Sequence, residues 1–415
     1  MLILQIIKMA TKLLALVHGH YSSHTVRPLE IAKALRETGK YDVTFSGEGE
    51  YMKVVEDAGF KWVKTELFPK RKILDLIEDH LVPRIFDNDA AEKFYKIEDE
   101  LLKEQKPDII LRDMFRELAG VASKAQEKPI FDVFIQKASC CPYYHMDFRP
   151  KHFPWIIDKI VPKKILQTTG PFLERPFRKW IFRPLYNQVK KHNIPINKNV
   201  PEGYEADLVF FPDEEKFFSF KNMRDNYRHL GAILFEDTSL APAWLEDFVK
   251  DPRKKILVTA GLSGEQERKE LFKEVFKDNK YAVAFHSTKN NRSENFYGND
   301  NFNICKVLPY VDLFITHGGT GSNYMGFRNQ VPMLALPNHF EQQIIGAQLE
   351  KTGAGLSFYP DDINPKSVRK SLEKILSDRS FKENAVAFSK TMIKNPLSLA
   401  VKYIEEGYEK FKRKK

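Results

Sequence analysis

The chain is constrained most by a repeated alternation of short apolar, β-rich runs with helix-patterned stretches. "KLLALVH", from Lys12, precedes "VRPLEIAKALRETG", whose residues Val26, Leu29, Ala32 and Leu35 fall three apart on one helical face before the stop at Gly39. The series continues through "YDVTFSG", "EYMKVVEDAG", "KPDIILRD", "FRELAGVASKAQ" and "PIFDVFI". Strands that alternate with helices are joined by crossovers, which implies a parallel sheet covered on both faces. After Pro142 the pattern gives way to a basic stretch rich in Pro and aromatics. It resumes weakly at "ADLVFF" and "RHLGAIL", and "FEDTSLAPAW" reads as a linker. A second series begins at Lys255 with "KILVTAG", "YAVAFHS", "VDLFITHGG", "VPMLALP" and "AGLSF". At 415 residues the chain exceeds one ordinary core. The expectation is α/β, two Rossmann-like doubly wound domains facing a central cleft, over residues 1–240 and 241–395, followed by a C-terminal helix over 396–415.

Composition narrows the compartment and the partners. Cys140, Cys141 and Cys305 form neither a metal-ligand spacing nor a disulfide framework, which suits a cytoplasmic protein. The opening "MLILQIIKMATKLLALV" carries Lys8 and Lys12 and is too short to span a bilayer; both Met1 and Met9 could start the chain. The net charge of +10 is concentrated: between Arg149 and Lys191 there are eleven Lys or Arg against Asp158 and Glu174. Trp155, Phe172, Phe177, Trp180 and Phe182 are interleaved with them. That composition fits either a surface resting on anionic lipid or a shell of snorkelling side chains over a pocket. It carries no nucleic-acid-binding signature.

One stretch carries chemistry. In "THGGTGSNYMGFRNQVPMLALPNHFEQQ", from Thr316, a strand ends at a glycine-rich turn and a helix follows. The unpaired N–H groups and the macrodipole of a helix N-terminus attract phosphate. Gly318, Gly319 and Gly321 let backbone approach an anion, and His317 and Ser322 can add donors. Taken alone, such a turn is equally a strand-to-helix connection that needs glycine for geometry.

The register resembles the signature of the UDP-glycosyltransferase superfamily, which has the GT-B fold. His317, Ser322, Val331, Pro332, Met333, Pro337, Glu341 and Gln342 fall at that signature's relative positions without a gap. The resemblance implies that His317, Gly318, Gly319, Gly321 and Ser322 hold the diphosphate of a nucleotide sugar, a UDP-sugar in that family. It implies that Glu341 and Gln342 bond the sugar hydroxyls, and that the glycine-containing loop at Gly261 lies near donor or acceptor. It also implies that the C-terminal helix crosses back to the first domain. Two features depart from the family. Eight residues beyond the His, where the family carries a ribose-binding Glu, stands Met325, which offers no carboxylate. The tryptophan-containing stretch that stacks on the base is shortened to "NFNICKVLPY".

The first half offers "VHGHYSSHTVRPLEIAKAL" where the family places a loop His shortly before a Pro. His24 stands four residues before Pro28, one more than the family's usual spacing, with His18 and His20 as rivals. A base must take the acceptor's hydroxyl proton, and His suits that task when a carboxylate fixes its tautomer. The family's partner Asp, at the end of a later strand, corresponds to Asp113 in "DIILRDMFRELAGVA". The expected activity is a metal-independent, inverting glycosyl transfer from a nucleotide sugar to a hydroxyl on a lipid or small glycan, with no cofactor and no metal site. Asp87 to Asp89 reads as a helix cap rather than as metal ligands. The basic stretch would place the protein against the inner face of the membrane. An epimerase or hydrolase of nucleotide sugars, or a noncatalytic binding protein, would share the fold.

Overall fold

The computed structural model describes residues 10–68, 87–140, 176, 178–220, 223–235, 239–259, 265–286, 296–298, 302–338 and 340–414. Gly261, most of the basic stretch, and the choice between Met1 and Met9 lie outside them.

Two wholly parallel sheets form the frame. The first takes β1 (Thr11–Leu16), β2 (Tyr41–Gly47), β3 (Lys61–Lys64), β4 (Ile109–Asp113), β5 (Phe131–Ile135), β6 (Leu208–Phe211) and β7 (Tyr227–His229) in the order β3-β2-β1-β4-β5-β6-β7. The second takes β8 (Lys255–Thr259), β9 (Ala282–His286), β10 (Leu313–Thr316), β11 (Met333–Ala335) and β12 (Gly355–Ser357) in the order β12-β11-β10-β8-β9. In β1 the side-chain period of two decides the packing: Leu13 and Ala15 join one core cluster and Leu14 and Leu16 the other. Each sheet is thus buried on both faces, as all-parallel sheets require.

Six helices place the site and tie the halves together. They are α1 (Ser22–Glu37), α2 (Asn88–Gln105), α3 (Glu117–Lys124), α4 (Thr320–Arg328), α5 (Phe340–Thr352) and α6 (Pro396–Arg413). Val26, Leu29, Ala32 and Leu35 of α1 are all buried. The Asp87 side chain accepts from Ala90 N and caps α2. Although it follows the second sheet in sequence, α6 packs on α1 and the first sheet, burying Ala400 and Ile404. The halves also share a core: Val209, Phe211 and Phe217 cluster with Phe314, Tyr324 and Phe327. Tyr324 Oη donates to Asp213 Oδ1 (3.0 Å) and accepts from Glu214 N (3.1 Å), so its buried hydroxyl is satisfied across the same junction. Among the described residues no helix is long and apolar enough to cross a membrane.

Candidate active site

In an open parallel sheet, a crevice forms at the strands' carboxyl ends where strand order reverses, because the following connections leave to opposite faces. In the first sheet that point lies between β1 and β4. α1 leaves β1 to one face and α3 leaves β4 to the other, as their separate core clusters record. His24 sits on the first turn of α1, and Asp113 is the last residue of β4. His24 Nδ1 lies 2.9 and 2.8 Å from the two Asp113 oxygens, and Phe115 N donates to Asp113 Oδ1 at 3.0 Å. Burial disfavours charge on both groups. It takes the His24 imidazole below its ordinary value of 6.5, with Asp113 opposing. For Asp113, His24 and the Phe115 amide outweigh burial and hold the carboxyl below its ordinary value. The carboxylate is therefore ionised and Nδ1 carries the proton, which leaves Nε2 as the basic nitrogen.

The rivals take other partners, although His18 also packs against Phe115 and Tyr21 beside His24. His18 Nε2 lies 3.1 Å from the Phe68 carbonyl and burial lowers its pKa to about 4, whereas His20 Nδ1 pairs with the exposed Glu50. The Phe115 ring lies tilted with its centre 4.5 Å from that of His24, and Tyr21 meets the imidazole edge-on at 5.6 Å. Below them, buried Arg116 donates to both Glu98 oxygens and to the carbonyls of Val17 and Ser46, bracing the ends of β1 and β2.

The second sheet reverses between β8 and β10, and the "THGGTGS" turn follows β10 at that point. Thr316 Oγ1 accepts from Gly318 N (2.8 Å), and Gly318 takes φ +83°, a region that penalises any side chain. Gly319 is the N-cap of α4, and no side chain caps the helix. Its first N–H groups are thus left for solvent or a ligand. A Cβ on Gly321 would meet nothing within 4 Å, so this face is open; Ser322 beside it is buried. The His317 ring lies over Gly319, where a Cβ would come within 2.6 Å of Nε2.

Contacts cross from one half to the other. Arg27 Nη2, on α1, donates to Thr320 Oγ1 at 3.1 Å, at the start of α4. Glu341, in the first turn of α5, accepts from Ser139 Oγ (3.0 Å) and pairs with Lys137 (3.3 Å), both from the segment after β5. Burial opposes charge on Lys137, yet Glu341 keeps its ammonium pKa above the usual value. Gln342 turns inward, and its Oε1 accepts from Asn338 N at 2.7 Å. Met325 packs against the core shared by the two halves. Sequence reasoning reached His24, Asp113 and the turn but missed Arg27, Lys137 and Ser139. The pattern of α1 carried no signal for Arg27, which lies off the face formed by Val26, Leu29, Ala32 and Leu35, where a charge is unremarkable.

Comparisons bear on this arrangement. Residues 287–405 match the family described as erythromycin biosynthesis protein CIII-like, C-terminal domain. A PGL/p-HBAD biosynthesis glycosyltransferase of Mycobacterium tuberculosis is 22% identical over 377 residues, covering 88% of this chain and 84% of that protein. The NDP-glycosyltransferase YjiC of Bacillus licheniformis is 24% identical over 385 residues, 87% of each. Among solved structures, the calicheamicin glycosyltransferase CalG4 superposes with a TM-score of 0.69 at 15% identity, covering 97% of this chain and all of that one. The spinosyn rhamnosyltransferase SpnG gives 0.68 at 16% identity over 95% of this chain and all of its own. With two doubly wound halves and a glycine turn at the second switch point, the chain has the GT-B fold, and its family match and relatives make it a glycosyltransferase similar to the UDP-glycosyltransferase superfamily.

Proposed function

We propose that the protein transfers a sugar, with inversion and without a metal, from a nucleoside diphosphate sugar to a hydroxyl of a lipid or small-glycan acceptor. The observation that carries this reading is the buried contact of His24 with Asp113, which fixes the proton on Nδ1 and presents Nε2 as a base. The acceptor oxygen forms its bond to the anomeric carbon while its proton passes to Nε2. The bond from that carbon to the phosphate oxygen breaks, and the electron pair leaves with the nucleoside diphosphate. Attack from the face opposite the leaving group inverts the centre.

His317, Gly318, Gly319, Gly321 and Ser322 seat the diphosphate at the N-terminus of α4, where the growing charge is stabilised. Glu341 and Gln342 hold the sugar, with Glu341 exchanging or sharing its Ser139 and Lys137 contacts with sugar hydroxyls. UDP is the family's usual nucleotide. One SpnG structure was solved with thymidine diphosphate, and Met325 offers no carboxylate to a ribose diol, so both nucleotides belong in the test. Gly261 is kept as a donor-side residue and the 149–191 stretch as a contact for anionic lipid; both readings rest on sequence alone.

The test is a panel of UDP- and TDP-sugars, scored by thermal stabilisation and then by product formation with hydroxyl acceptors. One donor should stabilise the wild type but not Ser322→Ala, and should yield a glycoside of inverted configuration. Sugar release or epimerisation at an undiminished rate without acceptor would reject transfer as the function.

A further inference from the structure

We propose that Arg27 is a catalytic residue of the sugar transfer: a cation carried by the acceptor half that reaches across the cleft and holds the departing diphosphate. The inference rests on the reading that the turn before α4 seats that diphosphate. Its own observation is the placement of one guanidinium.

Arg27 follows His24 by three residues on α1, so both project from one side of the helix. It is 7% exposed, and its one described hydrogen bond is to a neutral hydroxyl, Thr320 Oγ1, on the first residue of α4. Among the described residues no carboxylate pairs with it. A guanidinium carries five donors, and a buried charge without a counter-ion is costly. The neighbourhood raises that cost. The uncapped end of α4 carries partial positive charge, and Arg27 is close enough to Lys137 to disfavour the charge on that ammonium. Glu341 is the acid that offsets Lys137, and among the described residues no acid is paired with Arg27 in the same way. A cation held against the positive end of a helix is a poor arrangement for the empty protein and a good one for a bound anion.

The chemistry follows from position. As the bond from sugar carbon to phosphate oxygen breaks, negative charge gathers on the leaving phosphate, and a fixed guanidinium there gains more in the transition state than in the ground state. Because α1 carries both the base and this cation, seating the acceptor half over the donor half would bring proton acceptor and charge stabiliser into place together.

The experiment compares wild type, Arg27→Ala, Arg27→Lys and Gly321→Ala in two assays. One is binding of uridine and thymidine diphosphates against uridine and thymidine; the other is turnover with the donor found above. Arg27→Ala should lower kcat about 10²–10³-fold. It should weaken diphosphate binding about tenfold while leaving nucleoside binding unchanged. Arg27→Lys should recover part of the loss, and millimolar guanidinium should restore part of the turnover of Arg27→Ala. Undiminished turnover and diphosphate affinity in Arg27→Ala, with diphosphate binding weakened in Gly321→Ala, would overturn the role of Arg27 and keep the diphosphate seat. Diphosphate binding unaffected in both variants would overturn the seat and the inference with it. A lower melting temperature with loss that guanidinium does not rescue would make Arg27 a strut between the halves and reject the proposal.

Discussion

Replacing Gly321 with Ala should make the protein slightly more stable and a poorer binder of nucleotide. Gly321 is the second residue of α4, and a Cβ built there meets no atom within 4 Å, so no steric cost opposes the change. Ala is favoured over Gly by about 1 kcal/mol in a helix interior, and a first-turn position realises about half of that. For a domain of this size such a gain raises Tm by about 1–2 °C. The open space has a use if the diphosphate lies against this turn, because the new methyl would stand between phosphate and backbone N–H. Losing one charge-assisted hydrogen bond costs about 1.5–3 kcal/mol, or roughly tenfold or more in Kd. Differential scanning fluorimetry and calorimetric titration with UDP and TDP measure the two effects on the same sample. A variant with raised Tm and wild-type nucleotide affinity would refute the placement of the diphosphate. Gly318→Ala is the contrasting control: at φ +83° it should lose about 1–2 kcal/mol of stability.

Three further outcomes follow from the geometry. The His24 imidazole must be neutral to accept a proton, and burial places its pKa below 6.5. The kcat/KM profile should therefore stay flat through neutrality and fall on acidification, with a midpoint below 6.5; a midpoint above that value would assign the limb to another group. Removing Lys137 and Glu341 singly and together should give a coupling energy of about 1 kcal/mol in stability, since the pair is only partly buried; strict additivity would mean the contact is incidental. Arg116→Ala strands buried Glu98 and the carbonyls of Val17 and Ser46, so unfolding should cost about 3–5 kcal/mol less in urea titration.

Much of the frame was legible because local pattern and burial agree. The run "YDVTFSG" is strand from end to end, and the three-residue spacing on α1 places Val26, Leu29, Ala32 and Leu35 in the core. "RHLGAIL" was less so: the strand covers Tyr227–His229, and at Gly231 the chain turns with φ +85° against Ile393. A tertiary contact from beyond the second sheet decides that ending, and no local window contains it. The four-residue strand β3 was not anticipated, since "KWVK" alternates too briefly to register.

The site divides in the same way. Its turn could be read because one stretch holds all of it, and His24 with Asp113 because a family pattern linked two distant stretches. Arg27 with Thr320, and Lys137 and Ser139 with Glu341, lie about 200 to 300 residues apart and belong to opposite halves. Periodicity carries no information about pairs that meet only when two sheets face each other across a cleft.

The most direct test of the account is turnover by His24→Ala and Asp113→Asn, with donor affinity measured on the same preparations. The geometry predicts a fall of about 10²–10⁴-fold in kcat for His24→Ala. Asp113→Asn should also lose turnover, because the amide no longer fixes the proton on Nδ1. Nucleotide-sugar affinity should be unchanged in both. Full turnover in His24→Ala would contradict the assignment of the base and, with it, the proposed mechanism.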